Sequence, residues 1–136
     1  MKYKNPYIIT FNKIGNPRQG YISISENWKE IPFNVERVFW TYFTPHNIIR
    51  GKHAHYKTEQ ILIAVNGIIK VEIEYGSGKK EEFILDSPEK GLYIPPHVWH
   101  TMRYSHSAVQ MVLASTKYEE IDYIRDYNKF KEYYSD

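Results

Sequence analysis

The chain has 136 residues, 42% hydrophobic and 25% charged, enough for the core of one ordinary globular domain and too few for two. A formal net charge of +2 gives no electrostatic footprint for nucleic acid or a membrane surface. No run of about 18 apolar residues could span a bilayer, no signal-type apolar stretch follows Met1–Pro6, and the absence of cysteine excludes disulfides, thiolate metal sites and cysteine nucleophiles.

A cytoplasmic protein of one domain, residues 1–136, is therefore expected, built from short β segments punctuated by turns. Tyr7–Phe11 reads as a first strand and Gly15–Gly20 as a loop. Tyr21–Ser25 alternates, and Val35–Phe43 is a β-branched and aromatic run that ends before Pro45. Ile61–Val65 is apolar on both faces and calls for burial on both sides before Asn66-Gly67, the strongest short hairpin signal, turns the chain. The next strand alternates: Ile69, Val71, Ile73 and Tyr75 face one way, Lys70, Glu72 and Glu74 the other. Gly76–Lys79 is a second turn, and Phe83–Leu85, Leu92–Ile94 and Val109–Ala114 supply further strands. Tyr118–Tyr134 alone reads as helical, one or two short helices with Ile121, Ile124 and Phe130 at roughly helical spacing. The pattern predicts an all-β sandwich or barrel with a short helical C-terminus.

Two segments carry chemistry. Arg50-Gly51-Lys52-His53-Ala54-His55 is followed by Glu59 and Gln60, and Gly91–Pro95 leads into Trp99-His100. On an extended strand, residues i and i+2 share a face, so His53 and His55 can both point into a barrel. There they would serve as proton carriers near neutrality or as metal ligands.

These segments resemble the two signature motifs of the cupin superfamily. His53, His55 and Glu59 match the H-x-H-x-x-x-E of the first, and His100 matches the histidine of the second, in which His97 replaces the usual glycine. All four positions that bind metal in metallocupins are thus filled. A narrower likeness runs through Ile31-Pro32-Phe33, Arg37-Val38, the His53 segment, Leu85–Pro88, Gly91–Tyr93, Trp99-His100 and the tail from Tyr118 to Phe130. These strings are similar to the sugar 3,4-ketoisomerases acting on dTDP-4-keto-6-deoxyglucose. The resemblance implies a cupin jelly roll, dimeric by exchange of N-terminal strands, that works on a dTDP-linked keto sugar without metal or other cofactor, in the synthesis of 3-amino-3,6-dideoxyhexoses for surface polysaccharide. After Arg37-Val38 that family usually carries tyrosines, whereas this chain has Phe39-Trp40.

Moving a ketone from C4 to C3 requires removal of the C3 proton and return of one to C4 through an enediol(ate). His53 is the first candidate for the carbon acid–base, with His55 assisting between the oxygens and Glu59 fixing an imidazole tautomer. Arg37 or Arg50 would stabilise oxyanion charge or grip the diphosphate. Gln60 and His100 are candidate pocket contacts, Trp99 offers a face for thymine or sugar, and Tyr42 or Tyr93 would supply the hydroxyl that Phe39 lacks. The competing expectations are a metallocupin using His53, His55, Glu59 and His100, and a cupin that binds a nucleotide sugar without turning it over.

Overall fold

A computed structural model describes residues 3–135. Two five-stranded antiparallel sheets pack face to face and are built from strands β1 (Tyr7–Thr10), β4 (Arg37–Thr41), β5 (Ile49–His55), β6 (Gln60–Asn66), β7 (Ile69–Glu74), β8 (Lys80–Leu85), β9 (Lys90–Ile94), β10 (Trp99–Tyr104), β11 (Val109–Ala114) and β12 (Tyr123–Ile124). The first sheet runs β1-β9-β6-β11-β4 and the second β12-β5-β10-β7-β8. Outside both sheets, β2 (Asn12–Asn16) and β3 (Gly20–Ile24) form a separate, exposed hairpin. This all-β jelly roll, with one short C-terminal helix α1 (Tyr127–Tyr134), is the cupin fold that the motifs imply.

Alternation sorts the side chains into three apolar layers. Leu62, Ala64, Ile69, Val71, Ile73, Leu85, Leu92, Ile94 and Val112 fill the space between the sheets. On the other side of the first sheet, Ile61, Ile63, Tyr93 and Leu113 pack under the N-terminal segment through Ile9, Phe11, Ile31 and Phe33. This is why Gln60–Ala64 is buried on both faces, with only Val65 of the expected run left half-exposed. Gly67 sits at φ 76°, the left-handed conformation that the Asn66-Gly67 turn requires.

The third layer lies behind the second sheet, where Ala54, Trp99, Ile124 and Phe130 meet. Here the expected helix over Tyr118–Tyr134 gives way to a 3-10 turn (Glu120–Asp122), a two-residue strand and then α1. Ile121 is 83% exposed and makes no helical face. Tyr123 and Ile124 instead pair with His55 and Ala54 of β5. Asp126 caps α1 by accepting from the backbone N–H groups of Asn128 and Lys129. Glu74, expected on the outer face, is buried under α1, where it accepts from the Tyr127 hydroxyl at 2.5 Å and faces Lys131 Nζ at 3.5 Å. No helix among the described residues is long and apolar enough to cross a membrane.

Candidate active site

A cavity of about 180 Å³ opens between the edges of the two sheets, lined from β4 by Phe39 and Thr41, and from β10 by His100, Met102 and Tyr104. Gln60 and Leu62 of β6 and Gln110 and Val112 of β11 complete the floor, all at the period of two that one strand face imposes. Strand β5 contributes His53 and Arg50, an odd spacing explained by a bulge: His100 pairs with His53 but Thr101 pairs with Gly51, so Lys52 is the extra residue. Gly51 and Lys52 both have positive φ, 82° and 59°. A Cβ on Gly51 would lie 2.9 Å from the His100 carbonyl oxygen. The bulge flips the inward parity from Ile49 to Arg50 and turns the Gly51 carbonyl back to accept from His53 Nδ1 at 3.0 Å.

That bond settles the ring's polarity. A carbonyl only accepts, so neutral His53 carries its proton on Nδ1 and its lone pair on Nε2. Burial, and then the neighbouring His55, push the His53 pKa down to about 3. His100, fully buried, is pushed well below the usual histidine value by burial and by His53 and His55. His55 is lowered too, with burial outweighing the carboxylate of Asp122. All three imidazoles are therefore neutral at pH 7.

The carboxylate that orients a histidine is Asp122, not Glu59. Asp122 Oδ2 lies 3.2 Å from His55 Nδ1 and accepts from the Thr58 hydroxyl and backbone N–H, while Oδ1 takes the Lys57 N–H at 2.8 Å. Burial works against its charge, but these donors prevail and hold its pKa at about 2. Glu59 points to the far face of the first sheet, where it accepts from the Tyr93 hydroxyl at 2.7 Å. Tyr93 is accordingly packed against Tyr7 in the outer layer and does not line the cavity. Trp99 lies under α1, edge-on to Tyr127 at 5.3 Å. Tyr42 is 55% exposed and outside the cavity. Arg37 does not line the cavity: its guanidinium donates to the Tyr123 hydroxyl at 3.3 Å and lies 5.2 Å from the Phe39 ring, with Nε buried and unpartnered.

Sequence reasoning missed Tyr104, Tyr123 and Arg125. Tyr104 continues the inward alternation of His100 and Met102, a signal present in the sequence. Tyr123 covers the histidines, with ring centroids 5.0 Å from His53 and 4.4 Å from His55. Arg125 stacks over Tyr123 at 4.2 Å and is fixed by Glu120 through bonds of 2.6 and 3.0 Å. These two arrive on a segment whose pattern reads as helix. The phenols facing the cavity are thus Tyr104 and Tyr123, neither of them flanking Phe39 in sequence.

His53, His55 and His100 each bring one nitrogen within 4.8 Å of the others, but the four-ligand metallocupin set does not assemble. Glu59 is committed to Tyr93 on the opposite face. His55 has both nitrogens engaged, Nδ1 by Asp122 and Nε2 by Gln60 at 3.2 Å. His97, at the usual glycine position, has φ 73°, the conformation that glycine takes readily. It points away from the cavity, bonding the Tyr56 carbonyl and stacking on Tyr134 at 4.4 Å.

A jelly roll enclosing a cluster of neutral histidines beside a small polar cavity defines a cupin. The chain belongs to the family described as WxcM-like, C-terminal (FdtA), whose sequence model matches residues 4–135. It is 46% identical over 127 residues to the TDP-4-oxo-6-deoxy-alpha-D-glucose-3,4-oxoisomerase of Aneurinibacillus thermoaerophilus, covering 93% of this chain and 90% of that one. Among solved structures it is similar to a 3,4-ketoisomerase from Helicobacter canadensis (36% identity, TM-score 0.90, 96% and 98% of the two chains). It is likewise similar to the sugar 3,4-ketoisomerase QdtA of Thermoanaerobacterium thermosaccharolyticum in complex with TDP (34% identity, TM-score 0.91, 96% and 94%). A variant of that enzyme has been solved with TDP-4-keto-6-deoxyglucose.

Proposed function

We propose that the protein is a sugar 3,4-ketoisomerase that converts dTDP-4-keto-6-deoxyglucose to a dTDP-3-keto-6-deoxyhexose without a metal. The observation that carries this reading is the bare Nε2 lone pair of His53 at the wall of a cavity about 180 Å³ in volume. That is smaller than the roughly 300 Å³ at which pockets begin to take a whole drug-sized ligand. One sugar ring goes inside and the nucleotide stays at the rim. The family membership and the activities named for its relatives supply the substrate class.

His53 Nε2 removes the C3 proton, which the adjacent ketone acidifies. The C–H electrons form the C3=C4 bond as O4 takes a proton. The 3-hydroxyl then loses its proton, C3=O forms, and C4 is protonated, so nothing is consumed. Burial makes His53 a weak base, and the negative charge that develops on the substrate oxygen beside it offsets this by favouring the imidazolium as the proton is removed. Arg50, and Arg125 from the tail, face the cavity as donors for the developing oxyanion. Arg37, whose guanidinium bonds the Tyr123 hydroxyl beside the cavity, grips the diphosphate. His100 and Gln60 contact the ring, while Tyr104 and Tyr123 take the part assigned to Tyr42 and Tyr93 on sequence.

The second part of the proposal is a homodimer in the cytoplasm, with no nucleic-acid or membrane partner. The β2–β3 hairpin pairs with no other strand among the described residues, exposes Ile14, Tyr21 and Ile22, and by itself is the kind of two-stranded unit that is marginal in water. The edge strand β4 likewise exposes Val38 and Trp40, the latter 61% exposed. Exchange of the hairpins between two copies covers both.

Incubation with dTDP-4-keto-6-deoxyglucose in D₂O, followed by proton NMR, tests the activity. A 3-keto species with deuterium on the ring is expected. An unchanged substrate spectrum with intact protein refutes the isomerase and leaves binding without turnover. Undiminished turnover after chelation, with substoichiometric metal by elemental analysis, is expected. A single-chain mass by light scattering overturns the dimer.

A further inference from the structure

The hydrogen bonds around His55 form a chain whose polarity is determined from one end. Asp122 collects the Lys57 N–H, the Thr58 N–H and the Thr58 hydroxyl as well as facing His55. An ionised carboxylate only accepts, so the bond to His55 requires a proton on Nδ1. His55 is neutral and 2% exposed, leaving Nε2 as a lone pair with one neighbour, the Gln60 amide nitrogen at 3.2 Å. Only the NH₂ end of that amide can satisfy it. The amide oxygen must then face the cavity that Gln60 lines.

We infer that Asp122 is a positioning residue for the cavity: it locks His55 as the Nδ1–H tautomer, and His55 in turn locks the Gln60 amide with its carbonyl oxygen presented to the substrate. Asp122 lies 67 residues from His55 in sequence and behind it in space, so it acts at two removes. The cavity floor gains a fixed acceptor beside the His53 lone pair. A hydroxyl next to the reacting carbonyl, a donor in both keto sugars and in the enediol, is what such an acceptor holds. The opposite amide orientation would present N–H groups there and leave a buried imidazole lone pair facing a carbonyl oxygen, with both groups unpaired. The catalytic consequence rests on the ketoisomerase reading, whereas the tautomer does not.

Replacement of Asp122 by Ala removes the acceptor behind His55. A proton on Nδ1 then has no partner, and the buried ring is satisfied by the Nε2–H tautomer donating to a turned Gln60 carbonyl oxygen. Long-range ¹H–¹⁵N correlation of the histidine rings in the wild-type protein is expected to show His55 as Nδ1–H. In Asp122→Ala it is expected to show Nε2–H, with kcat down by about 10²–10⁴-fold and KM changed by less than about fivefold. A wild-type His55 protonated on Nε2 overturns the inference without any variant being made. So does a folded Asp122→Ala protein with an unchanged tautomer, or one with the inverted tautomer and undiminished kcat. If the wild-type protein turns over no keto sugar, the ketoisomerase reading fails, and the ring spectrum still decides the tautomer.

Discussion

The two acidic residues that compete for the role of orienting a histidine are separated by what each side chain reaches. Glu59 sits at the motif spacing, yet it bonds Tyr93 on the outer face of the first sheet, whereas Asp122 holds His55. Replacing Glu59 by Gln keeps an acceptor but removes the charge from its bond to Tyr93. A loss of about 1 kcal/mol in stability is expected in urea denaturation, with turnover unchanged. His53, at the wall of the cavity, behaves differently. His53→Asn keeps the shape of the pocket and removes the base, so kcat is expected to fall by about 10²–10⁴-fold with the far-UV spectrum intact. Near-normal turnover by that variant would remove His53 from the role of base.

At the level of elements, the strands were legible wherever one face is buried and the other is not. Ile69–Ile73 is the clearest case, and the turn at Asn66-Gly67 marked its start. The histidine pair was placed on its strand by the same parity rule, although the bulge at Gly51-Lys52, which brings Arg50 inward, leaves no trace in residue spacing. The tail was the least legible part. Ile121 and Ile124 stand three apart and imitate a helix, while the burial of Ile124 comes from a strand pairing with a residue 70 positions earlier. Tyrosine and tryptophan were read for their rings, and their depth was hidden: Tyr93 and Trp99 lie on outward faces that other segments cover. The segment doing the covering behind the second sheet is α1, eight residues long and anchored by the fully buried Phe130. A helix so short is held by tertiary packing rather than by propensity. Phe130→Ala is expected to cost about 3–5 kcal/mol, read as a lower denaturant midpoint.

For the whole molecule, the buried histidines set the response to acid. The folded-state pKa of His53, about 3, lies below the ordinary histidine value of 6.5, and His55 and His100 are displaced in the same direction. Between those limits the unfolded chain binds more protons than the folded one, so stability rises with pH across the window and is lost as pH falls below about 6.5. The limiting slope is about 1.4 kcal/mol per pH unit for each imidazole that stays neutral in the fold. Asp122, held at about 2, contributes stability that is present above the unfolded value of 3.8 and lost as pH falls through 2. Both effects point the same way and act in sequence. Thermal melts are expected to show a falling midpoint from pH 7 to pH 5, before any carboxylate protonates appreciably. A flat midpoint over that range would show that the imidazoles are not buried neutral.

Tyr123 and Arg125 follow β11, the last long strand of the barrel, so the strands that form the sheets precede the residues that cover the site. Synthesis proceeds from the N-terminus, and domains fold as their residues emerge. Once β11 is complete, every barrel strand except the two-residue β12 exists, and both sheets can close around His53, Gln60 and His100. At that moment His55 has no carboxylate behind it and the cavity has no aromatic cover, because Asp122 and Tyr123 have yet to be made or docked. Closing the barrel and completing its site are thus separable, because the second depends on the segment that carries Asp122, Tyr123 and Arg125.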